Sequence, residues 1–166
     1  SLTELGSIRI NKEERTKMYK TIPRSSIIGF LIGVLPGAGA TIASFLAYGM
    51  ERNVVSDEEK EKFGKGSVNG LSAPETANNA ACSGSFVPML TLGIPGSGTT
   101  AVMLGALLGF GVQPGPRLYM TNPEIFWSII MSMYIGMVIL LILNLPLIPY
   151  IARILAVPKN YLIPLI

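Results

Sequence analysis

Between Ser67 and Ile151 only three side chains carry charge, Glu75, Arg117 and Glu124, and the stretch from Ile27 to Gly49 carries none. A soluble domain needs a polar exterior. Charged residues make up 14% of this chain, against roughly 25% in an average soluble domain. The long uncharged stretch is therefore expected to lie in a lipid bilayer. The fold class that follows is all-α: a polytopic membrane protein, since only helices or closed barrels satisfy backbone polar groups in lipid.

The net charge of +3 is concentrated near the start, where Arg9, Lys12, Arg15, Lys17, Lys20 and Arg24 precede the first apolar segment with only Glu13 and Glu14 among them. Beside an apolar segment such a cluster marks the cytoplasmic side, so residues 1–26 are read as a polar, basic, cytoplasmic-side segment. No run of aromatic residues is interleaved with these charges, and nucleic acid is not expected as a partner. Cys82 is single and histidine is absent, which excludes an internal disulfide, His-based triads and His-ligated metal sites. No signal peptide is visible. The chain starts without Met and stops inside YLIPLI, so a piece of a longer protein is expected.

The rest, residues 27–166, divides by its punctuation. After polar, helix-prone residues 3–21, Pro23 marks an expected boundary. Residues 27–49 then form an apolar segment long enough to span about 30 Å, interrupted at LPGAGAT (35–41). A polar loop with one short helix is expected over 51–66. A small-residue helix follows over 72–87, with Ser72 to Glu75 as its capping box and Ala73, Ala77 and Ala81 at the spacing that lets helices approach closely. Pro88 is expected to end it. Residues 88–112 form a second broken apolar segment. Residues 123–145 form a transmembrane helix capped by Asn122, with Trp127 near one interface and Asn144, Pro146 and Pro149 ending or kinking it. Arg153 and Lys159 suggest another interface.

LPGAGAT (35–41) and IPGSGTT (94–100) share the pattern [LI]-P-G-x-G-x-T. Matched Gly/Pro-interrupted apolar segments point to the substrate site of a secondary transporter. A chain broken inside lipid exposes N–H and C=O groups that cost several kcal/mol each unless paired. The half-helices after each break offer a positive dipole end to a carboxylate. The candidate substrate-binding residues are Pro36, Gly37, Gly39 and Thr41 with Pro95, Gly96, Ser97, Gly98, Thr99 and Thr100. The alternative is a re-entrant turn packed against other helices, and the sequence leaves open whether each segment is a hairpin or a broken spanning helix.

Glu75, Asn78, Asn79 and Cys82 fall on one helical face. Glu75, Asn78 and Asn79 are candidates for binding a coupling cation or shaping the site; the alternative is a capping carboxylate with asparagines joining helices. Arg117 reads as an interfacial loop residue. GIPGSGTT is one letter from a phosphate-binding loop, but Thr99 stands where lysine is required and no Asp follows Asp57. Nucleotide hydrolysis is therefore not expected, and no enzymatic activity or cofactor is assigned. A channel or scaffold subunit remains the alternative.

The strings GFLIGVLPGAGATIASFLAYGMER (29–52), FGKGSVNGLSAPETANNAACSGSFVPMLTLGIPGSGTTAVMLGALLGFGVQPGP (63–116) and NPEIFW closely resemble the large membrane subunit of the bacterial tripartite tricarboxylate transporters. The resemblance implies a multi-pass permease of the bacterial inner membrane with an internally repeated fold. It implies two partners, a small membrane subunit and a periplasmic solute-binding protein. It also implies import of citrate-like tricarboxylates or other small carboxylates, driven by a sodium or proton gradient. The family's glycine-rich motifs fall on Pro36 to Thr41 and Pro95 to Thr100, and its acid-amide motif on Glu75, Asn78 and Asn79.

Overall fold

Asn11 starts the first helix: its side chain accepts a hydrogen bond from the Glu14 N–H, and the Glu14 carboxylate accepts one from the Asn11 N–H, both at 2.8 Å. This reciprocal capping box satisfies two donors that would otherwise be orphaned. The computed structural model describes residues 10–154; the part of the expected 3–21 helix before residue 10, and Lys159, lie outside them. The helices are α1 (Lys12–Val34), α2 (Gly39–Val54), α3 (Asp57–Lys60), α4 (Val68–Gly84), α5 (Phe86–Leu92), α6 (Gly98–Gly109), α7 (Leu118–Thr121) and α8 (Pro123–Ile154). No strand occurs among the described residues.

Residues Ile10–Pro123 form one compact unit, and its centre is a trio of stripes at four-residue spacing. The buried positions are Thr21, Ser25, Gly29 and Gly33 on α1, Ala43, Ala47 and Glu51 on α2, and Asn69, Ala73, Ala77 and Ala81 on α4. Such spacing keeps a stripe on one helical face. Because the residues are small, the backbones come very close: a Cβ on Gly29 would lie 2.6 Å from the Ala77 Cα, and one on Gly33 the same distance from the Ala81 Cα. At the other end of the stripes Asn69 donates to Thr21 across the same 48-residue spacing. Hence α1 and α4 run parallel in one register. α2 runs back against both, with Glu51 beside Thr21 and Asn69 and Ser44 donating to the Pro74 carbonyl at 3.1 Å. α1 and α2 thus form a helical hairpin with its tip at residues 35–38.

Three boundaries differ from the sequence expectation. α1 passes through Pro23 because it is anchored to α4 on both sides of that residue. A proline inside a helix costs about 3 kcal/mol, and the packing of Thr21, Gly29 and Gly33 offsets it. α4 starts one turn early: Ser67, not Ser72, caps it by accepting from the Gly70 N–H at 3.0 Å, so Ser72 and Glu75 form no capping box. Ser85 ends α4, and Pro88 sits in the first turn of α5, where its missing N–H is harmless. The 51–66 connection is only partly solvated, since Glu51 and Glu59 are buried.

The second unit contains α8. Its window Pro123–Ile151 has a mean hydropathy of 2.4 and is the one helix among the described residues long and apolar enough to cross a membrane. Helix continues past Asn144 and includes Pro146 and Pro149. In an apolar surrounding a helix is the only local way to keep the remaining backbone groups paired, which is why proline is tolerated there.

Candidate functional site

The interruption after α1 begins where Leu35 leaves helical geometry (φ −76°, ψ 118°). Gly37 and Gly39 follow at φ 81° and 70°, the left-handed region that glycine alone enters without strain. α2 then starts at Gly39 with no side chain capping it. Its first N–H groups are left for water or a ligand, and they carry the positive end of the helix dipole. Pro36, Gly37 and Thr41 are exposed around this end and Gly39 is half-buried.

The second interruption is closed differently. α5 ends at Gly93 (φ 69°), whose position is fixed from across the loop by Gly115 donating to the Leu90 carbonyl at 3.1 Å. α6 opens with a capping box: the Ser97 N–H donates to Thr100 Oγ1 at 2.8 Å and the Thr100 N–H to Ser97 Oγ at 3.2 Å. Thr100 is buried, and its hydroxyl also donates to the Ser97 carbonyl at 2.9 Å. That leaves exposed Gly98 and Thr99 as the open donors of this helix start. Pro95 is half-buried, and Gly96 is buried.

Gly96 of the second interruption packs against the end of α1. A Cβ there would lie 2.9 Å from the Ser85 Cβ and 3.5 Å from the Gly33 carbonyl oxygen, and Gly33 stands two residues before the hairpin tip. The second interruption thus lies beside the helix end that leads into the first, at one end of the three-helix unit.

Glu75, Asn78 and Asn79 do not join them. The register that pairs Ala81 with Gly33 sets Glu75 about 9 Å back along α4. Glu75 and Asn79 are exposed on the side away from Ala73, Ala77 and Ala81, and line a cavity of about 450 Å³ with Glu14, Met18 and Ser72. Cys82, also exposed, donates to Asn78 Oδ1 at 3.7 Å. Arg117 precedes α7 on the surface.

The opposite end of the unit carries charged residues that the sequence reading left in a loop. Glu51 is wholly buried, and its Oε1 accepts from Thr21 (2.7 Å), Arg24 (3.0 Å) and Asn69 (3.2 Å). Next to it Glu59 accepts from Ser67 (2.8 Å) and Lys17 (3.1 Å). Burial pushes the Glu59 carboxyl up, but the Ser67 hydroxyl and the Lys17 and Lys62 charges outweigh it and hold the group below the ordinary range. Hydrogen bonds to Glu59 and Glu13 hold Lys17 above its ordinary value. The four-residue stripes were the available signal: Asn69 extends Ala73–Ala77–Ala81, and Glu51 extends Ala43–Ala47.

Fold and site together define an all-helical protein built around paired, glycine-broken helices. The model of the tripartite tricarboxylate transporter TctA family matches residues 2–166. Two proteins of Agrobacterium vitis are similar: an uncharacterized 52.8 kDa protein in the TAR-I ttuC' 3' region, 43% identical over 95% of this chain and 31% of its own length, and an uncharacterized protein in the TAR-II ttuC' 3' region, 46% identical over 83% of this chain and 56% of its own. The chain belongs to the tripartite tricarboxylate transporter TctA family, a family of membrane transporter subunits. It spans about a third and about half of the lengths of these two relatives. No solved structure matches it.

Proposed function

We propose that the chain is part of the permease subunit of a secondary-active, binding-protein-dependent transporter, a multi-pass protein of the bacterial inner membrane. It takes up citrate-like tricarboxylates or other small carboxylates with a sodium ion or proton. The observation that carries this reading is the packing of the second interruption, at Gly96, against Gly33, two residues before the first. From Arg24 to Val34 α1 is about 15 Å long, half of a hydrocarbon core of about 30 Å. With the charged end at the cytoplasmic interface, the hairpin tip reaches the midplane, the depth at which transporters of this kind hold substrate. The uncapped start of α2 and the open N–H groups of Gly98 and Thr99 supply donors for a carboxylate.

In this reading Pro36, Gly37, Gly39 and Thr41 with Pro95, Gly96, Ser97, Gly98, Thr99 and Thr100 build the substrate site. Glu75, Asn78 and Asn79 bind the coupling cation or shape its approach. A small membrane subunit and a periplasmic solute-binding protein complete the system. Uptake of radiolabelled citrate by the full-length protein with its partners tests the proposal. Gly98→Leu is expected to abolish uptake and Glu75→Gln to alter its sodium or pH dependence. Unchanged behaviour of both well-expressed variants would refute the site, and failure to accumulate substrate against its gradient would identify a channel instead.

A further inference from the structure

The polar cluster at the base of the hairpin has more acceptors than it uses. Glu51 Oε1 takes three donors, whereas Glu51 Oε2 and Asn69 Oδ1 are buried with no partner, as is the hydroxyl of Ser25. Glu51 is 0% exposed, Asn69 6% and Ser25 0%. The Asn69 amide is already bonded to the Glu51 carboxylate at 3.2 Å, and Ser25 stands one turn beyond Thr21, which bonds both, on the same buried face of α1. A buried carboxylate oxygen and a buried amide oxygen without donors are costly to leave unmatched, and a positive ion satisfies both at once.

We infer that Glu51, Asn69 and Ser25 form an oxygen-lined site for a monovalent alkali cation, where α1, α2 and α4 meet, apart from Glu75 on the other side of α4. Two further features favour a cation. Glu51 lies in the last turn of α2, where the free carbonyls and the negative end of the helix dipole attract positive charge. Arg24 bonds Oε1 alone and is a third exposed, so it moderates the carboxylate's charge without covering Oε2. With one carboxylate, shared with Arg24, the site suits a single charge; calcium takes six to eight oxygens and usually several carboxylates. The buried, unpartnered Nε–H of Arg24 needs an acceptor of its own, which a water bound to the ion would supply.

The test is thermal unfolding of the full-length protein in nanodiscs, in sodium, potassium or choline chloride at equal ionic strength. Sodium or potassium is expected to raise the Tm over choline by about 2 °C or more. Ser25→Ala and Glu51→Gln, each made in a Glu75→Gln background that removes the other candidate cation site, are expected to remove that difference, while exposed Glu61→Gln keeps it. Ser25→Ala leaves the Arg24–Glu51 pair intact, so it decides the question even if Glu51→Gln misfolds. No alkali-dependent shift in the wild type would overturn the site and leave water as its occupant. A shift that survives Ser25→Ala in the Glu75→Gln background, or one already absent from Glu75→Gln alone, would also overturn it. Citrate uptake is a separate measurement, so failure of this site and failure of the transport reading are distinguishable.

Discussion

Gly33 of α1 and Ala81 of α4 meet backbone to backbone, so that a methyl on Gly33 would sit 2.6 Å from the Ala81 Cα. Neither helix can yield locally, because the same contact recurs one turn back at Gly29 and Ala77. Gly33→Val is expected to destabilise by at least the 1–3 kcal/mol typical of overpacking, read as a fall in Tm of the full-length protein. Gly49→Ala is the control. It lies inside α2 with open space around it, and helix propensity predicts a gain of about 0.5–1 kcal/mol.

Glu51→Ala is expected to be the most damaging change at the charged end. It removes the side-chain acceptor of the Arg24 guanidinium and one acceptor each from Asn69 and Thr21, which keep their bond to each other. Losing one member of a fully buried pair costs about 3–5 kcal/mol; with Arg24 a third exposed the lower end of that range applies. Denaturant titration measures it, and Arg24→Ala should cost less because the remaining donors still hold Oε1.

Acid should loosen the same region through Glu59. Its carboxyl titrates below the ordinary glutamate value of 4.5 in the folded chain. Its contribution to stability is therefore complete above that value and is lost as pH falls through the lower folded one. Tm measured from pH 6 downward should decline, and Glu59→Gln should flatten that part of the curve. A decline of equal steepness in the variant would show that other carboxylates carry it.

The glycines that shape the two breaks should differ in tolerance. Gly39→Ala meets nothing within 4 Å and bears only left-handed strain, about 1–2 kcal/mol. Gly93→Ala bears the same strain and also collides with the Pro114 carbonyl oxygen at 2.9 Å. Expression and Tm should fall further for Gly93→Ala.

Cys82 offers a reporter for the outer side of α4. It is exposed and in contact with Asn78, so maleimide should label it. If the Glu75–Asn79 side lines the transport path, saturating carboxylate or coupling ion should slow that labelling.

Much of this was legible in the residues because the signals were local. Pro-Gly-x-Gly in an uncharged run forces a break wherever it occurs, and helices end at Val34 and Leu92 and restart at Gly39 and Gly98. The charged cluster was hidden because its members come from three segments, and a run such as ERNVVSDEEKEK looks like any solvated loop. Glu51 belongs to that run by composition but to the alanine stripe by spacing. Pro23 reads as a boundary and lies inside α1 instead, where packing outweighs propensity. That the second break lies beside the end of α1 depends on Gly96 finding Gly33, a tertiary contact no periodicity encodes.

The constant 48-residue register between α1 and α4 makes the pair a ruler with a fixed zero at Thr21 and Asn69. One residue inserted between Asn69 and Ala77 would turn every later position of α4 by about 100°, swinging Ala80 into the place of Ala81 and Thr76 or the inserted residue into that of Ala77. The same insertion between residues 55 and 57, outside any helix, would leave the scale intact. Changes of chain length should therefore be absorbed in the connection after α2 and rejected along α4.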